Sequence, residues 1–353
     1  MTAARLTVDL GALAHNYAAL RMAAPGAEVA PVVKADGYGL GAARLAARLW
    51  DEGARTFFVA RLSEGEALRA TMGAREARIF VLDGVTEEAC ERLVEARLTP
   101  VLNSLAQISA WADRGSGPAV LHIDTGMNRV GLTAPEASEA AALIAARGVS
   151  LALVMSHLGC AAEPDHPRNA AQLASFEEAR SHFPAVPASL AASAGIFLGD
   201  AYRFDAVRPG ISLYGGGPRE IPDPRFRAVV TLEAPVLQVR DIAAGESVGY
   251  GRMFTAPGAM RIAVVGAGYA DGILRGAHKA GFAAVGGVRA PYAVVTMDMI
   301  AIDIGEVAGV QVGDMVELMG RNVHVDALAA ASNTVAHECL VRLNARAERH
   351  YID

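Results

Sequence analysis

Short apolar runs recur along the first 220 or so residues: VAPVVKA, TFFVAR, RIFVLDG, TPVLN, AVLHID, SLALVMSH, ASLAAS and DAVRPG. They are apolar throughout rather than alternating, the pattern of parallel strands buried on both faces. Between most of them lie Ala/Glu/Arg-rich stretches of helical character, such as SEGEALRATMGA and EEACERLVEA. Ahead of the first run, Asp9 is an N-cap for a helix through LGALAHNYAALRMAA, where Leu10, Leu13, Ala14, Tyr17 and Leu20 fall near helical spacing. Strand and helix alternating about eight times predicts a (β/α)8 barrel of the TIM type over residues 10–220.

Beyond Gly217 the pattern changes. PREIPDPRF is rich in proline and charge and reads as a linker. VVTLEAPVLQVRDI, RIAVVGAGYADG, RAPYAVVTMDMIAIDIGE and VQVGDMVELMG follow, extended, rich in Val and Ile, punctuated by glycine and almost without helical period. This predicts a second, mostly β domain over residues 225–353, which the RLTVDL stretch within residues 1–9 joins as a strand. The fold class is therefore α/β plus β.

Composition narrows the function. The chain has 353 residues, enough for more than one core, with 52% hydrophobic and 20% charged residues, as in a soluble globular protein. A net charge of -6 offers no basic footprint for nucleic acid. Cys90, Cys160 and Cys339 are few, odd in number and widely spaced, which fits a reducing compartment without a disulfide framework or a metal motif. The start carries Asp9 and His15 where a signal peptide needs an unbroken apolar core, and no stretch reads as a membrane span. The expectation is a cytoplasmic protein.

In a barrel of this kind chemistry sits at the C-terminal ends of the strands. The first run ends in Lys34, the fifth runs into Asp124 and Arg129, the sixth ends in Ser156-His157, the seventh in Ser193-Ala194-Gly195 and the eighth in Arg208-Pro209-Gly210. Each has a bland reading: a lysine snorkelling at a strand end, a satisfied structural histidine, two ordinary glycine turns, a surface arginine before a Pro-Gly turn. Converging on one rim, they describe a catalytic or anion-binding mouth. Loops after strands seven and eight are common phosphate sites in barrels, and Ser193 adds a hydroxyl to the backbone N–H groups there. A phosphate beside a desolvated lysine suggests pyridoxal phosphate, because burial lowers a lysine pKa and frees the amine for Schiff-base chemistry. At such a site His157 could stack on the cofactor ring. Arg208 opposite the pyridine nitrogen would disfavour ring protonation, an electronic setting that favours reprotonation at Cα over transamination.

The motifs PVVKADGYGLG (31–41), HIDTGMNRVGL (122–132), SHLGCA (156–161), FDAVRPGISLYG (204–215), VGYG (248–251), GAGYADG (266–272) and TMDM (296–299) together resemble the alanine racemase family, in order and across both domains. The resemblance implies pyridoxal 5'-phosphate held on Lys34 as an internal aldimine, and interconversion of L- and D-alanine, supplying D-alanine for peptidoglycan or degrading it. Lys34 and Tyr250 would be the two bases, since racemisation needs one proton-transfer group on each face of a planar carbanion. Tyr38, Leu82, Arg129, His157, Ser193, Arg208, Gly210 and Ile211 would bind the cofactor. Arg129, Met297, Asp298 and Tyr269 would meet the substrate, with Tyr269 narrowing the entrance. The resemblance also implies a head-to-tail homodimer in which Tyr250, Tyr269, Met297 and Asp298 reach the partner's barrel.

Three positions depart from the family pattern. His122 stands where a lysine, often carbamylated, commonly orients the arginine; a neutral imidazole cannot supply that negative charge, so a chloride or a nearby carboxylate would have to. Ala345 stands where some members place a tyrosine on the phosphate, and Ala192 where some have an asparagine before the phosphate serine. The alternatives are a racemase of another small or basic amino acid and a pyridoxal phosphate carrier protein; a metal-dependent barrel aldolase is weaker, since no His/Cys cluster has ligand spacing.

Overall fold

The computed structural model describes residues 4–353 and divides the chain into two compact units. One comprises Tyr17–Gly37 and Gly41–Leu213; the other runs as far as Asn16 and takes in Tyr38–Leu40 and Tyr214–Asp353. Residues 1–3 of the expected 1–9 strand lie outside the described residues.

The first unit is a closed barrel of parallel strands. In order these are Glu28–Val29, Thr56–Val59, Arg78–Val81, Thr99–Leu102, Ala119–Asp124, Leu151–Met155, Ala188–Ser189 and Ala206–Val207. Thr56–Val59 through Ala188–Ser189 pair successively in parallel. The ring closes through the Ala192–Arg208 bridge, the pairing of Ala206–Val207 with Glu28–Val29, and the Val32–Phe58 bridge. All eight apolar runs are thus strands. Every barrel strand except the seventh contributes to one apolar cluster: Ala30, Phe58, Phe80, Val101, Val120, Leu153, Met155 and Ala206, with Val32 and Leu82 packed against it. A cluster drawn from that many strands of one ring fills the barrel interior. Because side chains alternate along a strand, residues two places further on point inward as well, one layer nearer the C-terminal mouth.

The second unit is built on an antiparallel barrel. Its ring runs Met260–Val265, Ile300–Asp303, Val288–Val295, Phe282–Val285, Met315–Met319 and Val230–Ile242, the last pairing back to Met260–Val265. Val230–Ile242 is long enough to change partners along its length, facing Met315–Met319 through Leu232–Pro235 and Met260–Val265 through Val236–Ile242. Arg5–Asp9 pairs antiparallel with this strand and parallel with Glu348–Ile352. Asp9 caps the helix Leu10–Ala23, its Oδ1 accepting from Ala12 N at 2.7 Å. Two short helices, Val325–Ala331 and Ala336–Val341, break the extended pattern expected beyond residue 225. Their Ala-rich stretch has high intrinsic helix propensity, and both bury an apolar face.

Candidate active site

Immediately after the first barrel strand the backbone turns left-handed. Ala35, Asp36, Gly37 and Tyr38 all have φ between 52° and 63°. Only one of these residues is glycine, and L-residues adopt this region at a cost of about 1–2 kcal/mol each. The turn is held by two side chains: Glu64 Oε1 accepts from Ala35 N at 2.8 Å, and Asp36 Oδ1 accepts from Ala42 N at 2.9 Å. At Gly37 a Cβ would lie 2.5 Å from Leu45 Cδ1. Strain concentrated beside one lysine marks a functional position.

Lys34 sits two residues beyond Val32, in the inward-facing series. Partly buried, its ammonium is destabilised first by desolvation and then by the Arg129 charge, so its pKa is lowered; Glu64 and Asp83 pull weakly the other way. It is not a lysine whose head group escapes to water. The same alternation brings in Leu82 after Phe80, Asn103 after Val101, His122 after Val120, His157 after Met155 and Arg208 after Ala206. Apart from Leu82, a polar layer therefore caps the apolar one.

Arg208 is the hub of that layer, and the surface-arginine reading does not hold. It is 4% exposed, and its guanidinium lies 5.9 Å from the Phe58 ring centroid. Nη1 donates to Ser189 O at 2.9 Å and Ser189 Oγ at 2.6 Å; Nη2 donates to Ser156 O at 2.5 Å and Leu190 O at 3.4 Å. These acceptors are all neutral. A buried cation without a carboxylate projects its field onto its neighbours, and burial lowers its own pKa to about 10. His157 is pushed down to about 3 by desolvation, then by the charges of Arg208 and Arg129. His122 falls to about 4 for the same reasons. Both imidazoles are neutral at physiological pH.

His122 also has a fixed tautomer. Asn103 donates its amide to Leu82 O at 3.1 Å and Val101 O at 2.9 Å, so its Oδ1 faces His122 Nδ1 at 2.8 Å. Nδ1 therefore carries the proton and Nε2 the lone pair. His122 is thus held by an amide, not by a charged partner.

The loop after the fifth strand is organised by Asp124, whose Oδ1 accepts from Gly126 N and Met127 N and whose Oδ2 accepts from Arg129 N. Burial opposes its charge, but these bonds hold the carboxyl below its ordinary pKa. Gln172, buried on the helix Pro167–Arg180, ties the neighbouring loops together. It donates to His157 O at 3.0 Å and to Thr125 Oγ1 at 3.5 Å, and accepts from Gly159 N at 2.8 Å. At the last two strand ends Ser193 Oγ accepts from Gly210 N at 3.0 Å and Ser212 N at 3.3 Å. Ser212 Oγ is buried without a partner.

The barrel unit thus brings together Lys34, Leu82, Arg129, His157, Ser193, Arg208, Gly210 and Ile211. The second unit holds the remaining candidates. Tyr38 is buried there, its ring 4.6 Å from Tyr214 and 5.8 Å from His337, and burial raises its pKa. Tyr250 follows Gly249 at the tip of the hairpin Ser247–Val248/Phe254–Thr255 and is 82% exposed. At Gly249 a Cβ would lie 2.8 Å from Val294 Cγ1, and φ is +82°, so only glycine seats the hairpin this way. Tyr269 and Met297 are also exposed, on turns joined by Tyr269 N to Thr296 O at 3.0 Å and Ala270 N to Met297 O at 2.9 Å.

Asn103, Gln172 and Ser189 were not singled out in the sequence. Asn103 and Ser189 carried a signal, a polar residue in or ending a buried apolar run. Gln172 carried none, because its role depends on which loops its helix crosses.

Fold and site define a two-domain chain whose (β/α)8 barrel carries a desolvated lysine and a carboxylate-free buried arginine at its mouth. Comparison with known proteins specifies the group. Residues 8–218 match the alanine racemase N-terminal domain and residues 229–351 the alanine racemase C-terminal domain. The chain is 44% identical to an alanine racemase of Methylobacterium nodulans, over 99% of this chain and 96% of that one, and 45% identical to one of Rhodospirillum rubrum, with the same coverage. A crystal structure of alanine racemase from Bartonella henselae with covalently bound pyridoxal phosphate superposes with a TM-score of 0.93 at 35% identity, covering all of both chains. The chain belongs to the alanine racemase family.

Proposed function

We propose that this chain interconverts L- and D-alanine with pyridoxal 5'-phosphate, by proton transfer at Lys34 and Tyr250. The observation that carries the reading is the polar layer of the barrel: an amine kept from water, two neutral imidazoles and a buried cation held only by neutral acceptors.

The residues present fit the cofactor. The Ser193 hydroxyl accepts two backbone N–H bonds, which leaves its own proton to donate. Ser212 Oγ nearby lacks a partner, and polar atoms suited to a phosphate gather at the two strand ends where barrels bind one. Lys34 would hold the cofactor, with Ser193, Gly210 and Ile211 at its phosphate, Arg208 and His157 at its ring, and Leu82, Arg129 and Tyr38 completing the site. When bound, the cofactor supplies electron withdrawal that makes the substrate's Cα proton acidic.

Each residue then has a physical task. Lys34 Nζ takes or returns the Cα proton on one face, and its lowered pKa supplies the free amine. Tyr250 Oη serves the other face. Arg208, charged at working pH, would disfavour protonation of the ring nitrogen when the cofactor is bound, which would limit stray transamination. His157, neutral beside it, can pass hydrogen bonds without adding charge. Arg129 and the Met297 N–H set the substrate carboxylate, with Asp298 beside that donor, and Tyr269 limits side-chain size.

The exposure of Tyr250, Tyr269 and Met297 supports a homodimer in which they serve a partner's barrel. Among the described residues no helix is long and apolar enough to cross a membrane, and the reading extends to the cytoplasm as the site of action. The test is incubation of L-alanine with the purified protein and cofactor in D2O, followed by chiral analysis. D-alanine carrying deuterium at Cα is expected; unreacted alanine beside a cofactor-loaded protein overturns the substrate assignment.

A further inference from the structure

Three segments of the second unit, remote in sequence, meet around one arginine. Arg346 Nη2 lies 2.7 Å from Asp298 Oδ1, and Arg346 Nε lies 3.5 Å from Asp271 Oδ1. Asp271 is 3% exposed, and its Oδ2 accepts from Gly268 N at 2.8 Å. Asn344 clamps the same place from the other side, its Nδ2 donating to Ala270 O at 2.7 Å while its Oδ1 accepts from Arg346 N at 2.8 Å. The close approach leaves no slack: at Gly268 a Cβ would lie 2.3 Å from Thr296 O and 2.4 Å from Met297 O.

The turn Thr296–Met299 is closed by Thr296 N and Oγ1, both donating to Met299 O. Among the described residues the Met297 N–H has no acceptor. A half-exposed carboxylate, Asp298, follows it directly. Left alone, that carboxylate would repel any anion approaching the Met297 N–H. With Arg346 against it, the charge is taken up and the turn is fixed to the Gly268–Gly272 segment.

We propose that Arg346 is a positioning residue for the substrate carboxylate, acting through Asp298. It holds the Thr296–Met299 turn so that the Met297 N–H stays free, and it neutralises the one carboxylate beside that donor. This role rests on the reading of Met297 as a carboxylate-binding group. A guanidinium suits it because a planar fork reaches two carboxylates at once, one buried and one exposed; an ammonium is a point charge.

The test uses the full-length holoenzyme. Arg346→Lys keeps a cation for buried Asp271 and so preserves the fold, but it releases the fork to Asp298. KM for alanine is expected to rise about tenfold with kcat changed less than about twofold, the scale of one lost charge-assisted contact. The inhibition constant of propionate, a carboxylate of alanine's size without the amine, weakens by the same factor. Tm and bound-cofactor absorbance stay at wild-type values. Asp298→Asn combined with Arg346→Lys is no worse than the poorer single variant, because both act on one link. An active wild type with KM and propionate inhibition unmoved in Arg346→Lys overturns the proposal alone, as does a loss that follows Tm rather than KM. A wild type that racemises no alanine overturns the functional reading and this proposal with it.

Discussion

The two units hold their chemistry in opposite ways. In the barrel, Lys34, His122, His157 and Arg208 project from strand ends into a closed interior, and the two-residue alternation of the strands aims them. In the second unit, Tyr250, Tyr269, Met297 and Asp298 stand on exposed turns and are aimed by ties between loops. The barrel tunes charge: burial, and then the fields of Arg208 and Arg129, hold two imidazoles neutral. The turns tune position, with Gly249 seating one hairpin and Asp271, Arg346 and Asn344 cross-linking the rest. Side chains of one pleated ring inherit their geometry from the fold, whereas side chains on loops need a dedicated bond for each degree of freedom.

The comparison can be broken at its strongest point first. Lys34→Ala should remove the visible absorbance of bound cofactor and lower racemisation by more than about 10⁴-fold. Retained absorbance would take Lys34 out of the cofactor role and dissolve the barrel half of the contrast. Next in size, Tyr250→Phe should slow proton exchange about 10²–10³-fold for one enantiomer while the cofactor stays bound. Single-turnover exchange in D2O, begun from each enantiomer, checks this; equal losses from both sides would deny Tyr250 a single face.

The smallest effect concerns charge in the barrel. His157 and His122 titrate near 3 and 4 in the folded protein but near ~6.5 when unfolded. Between those values the unfolded chain binds more protons, so stability is complete above about pH 6.5 and falls as pH drops toward 4. Tm should fall by roughly 5 °C between pH 7 and pH 5. His122→Asn should flatten that slope, as measured by scanning calorimetry across pH. A slope unchanged in the variant would mean that His122 is not held neutral.

Much of this was legible in the chain. The barrel strands announced themselves because strands covered on both faces must be apolar throughout, and Asp9 announced its helix because a first turn needs an acceptor. Lys34, His157 and Arg208 stood out as charged or polar ends of apolar runs. The left-handed turn at Ala35–Tyr38 did not, since three of its four residues are not glycine and only the surrounding bonds force the conformation. Two short C-terminal helices were hidden in a stretch read as extended. Arg346 looked like one more charge near the C-terminus, and only Ala345 beside it drew notice.

What the sequence determined by itself was the order of elements and the kinds of side chain at the barrel mouth, because periodicity and residue type are local properties. The tertiary structure alone decided which of those groups carry charge. Arg208 meets carbonyls rather than carboxylates, His122 meets Asn103, and Arg346 meets two aspartates more than forty residues away in the chain. Burial and the sign of the nearest charge are properties of a closed fold, and no run of residues states them.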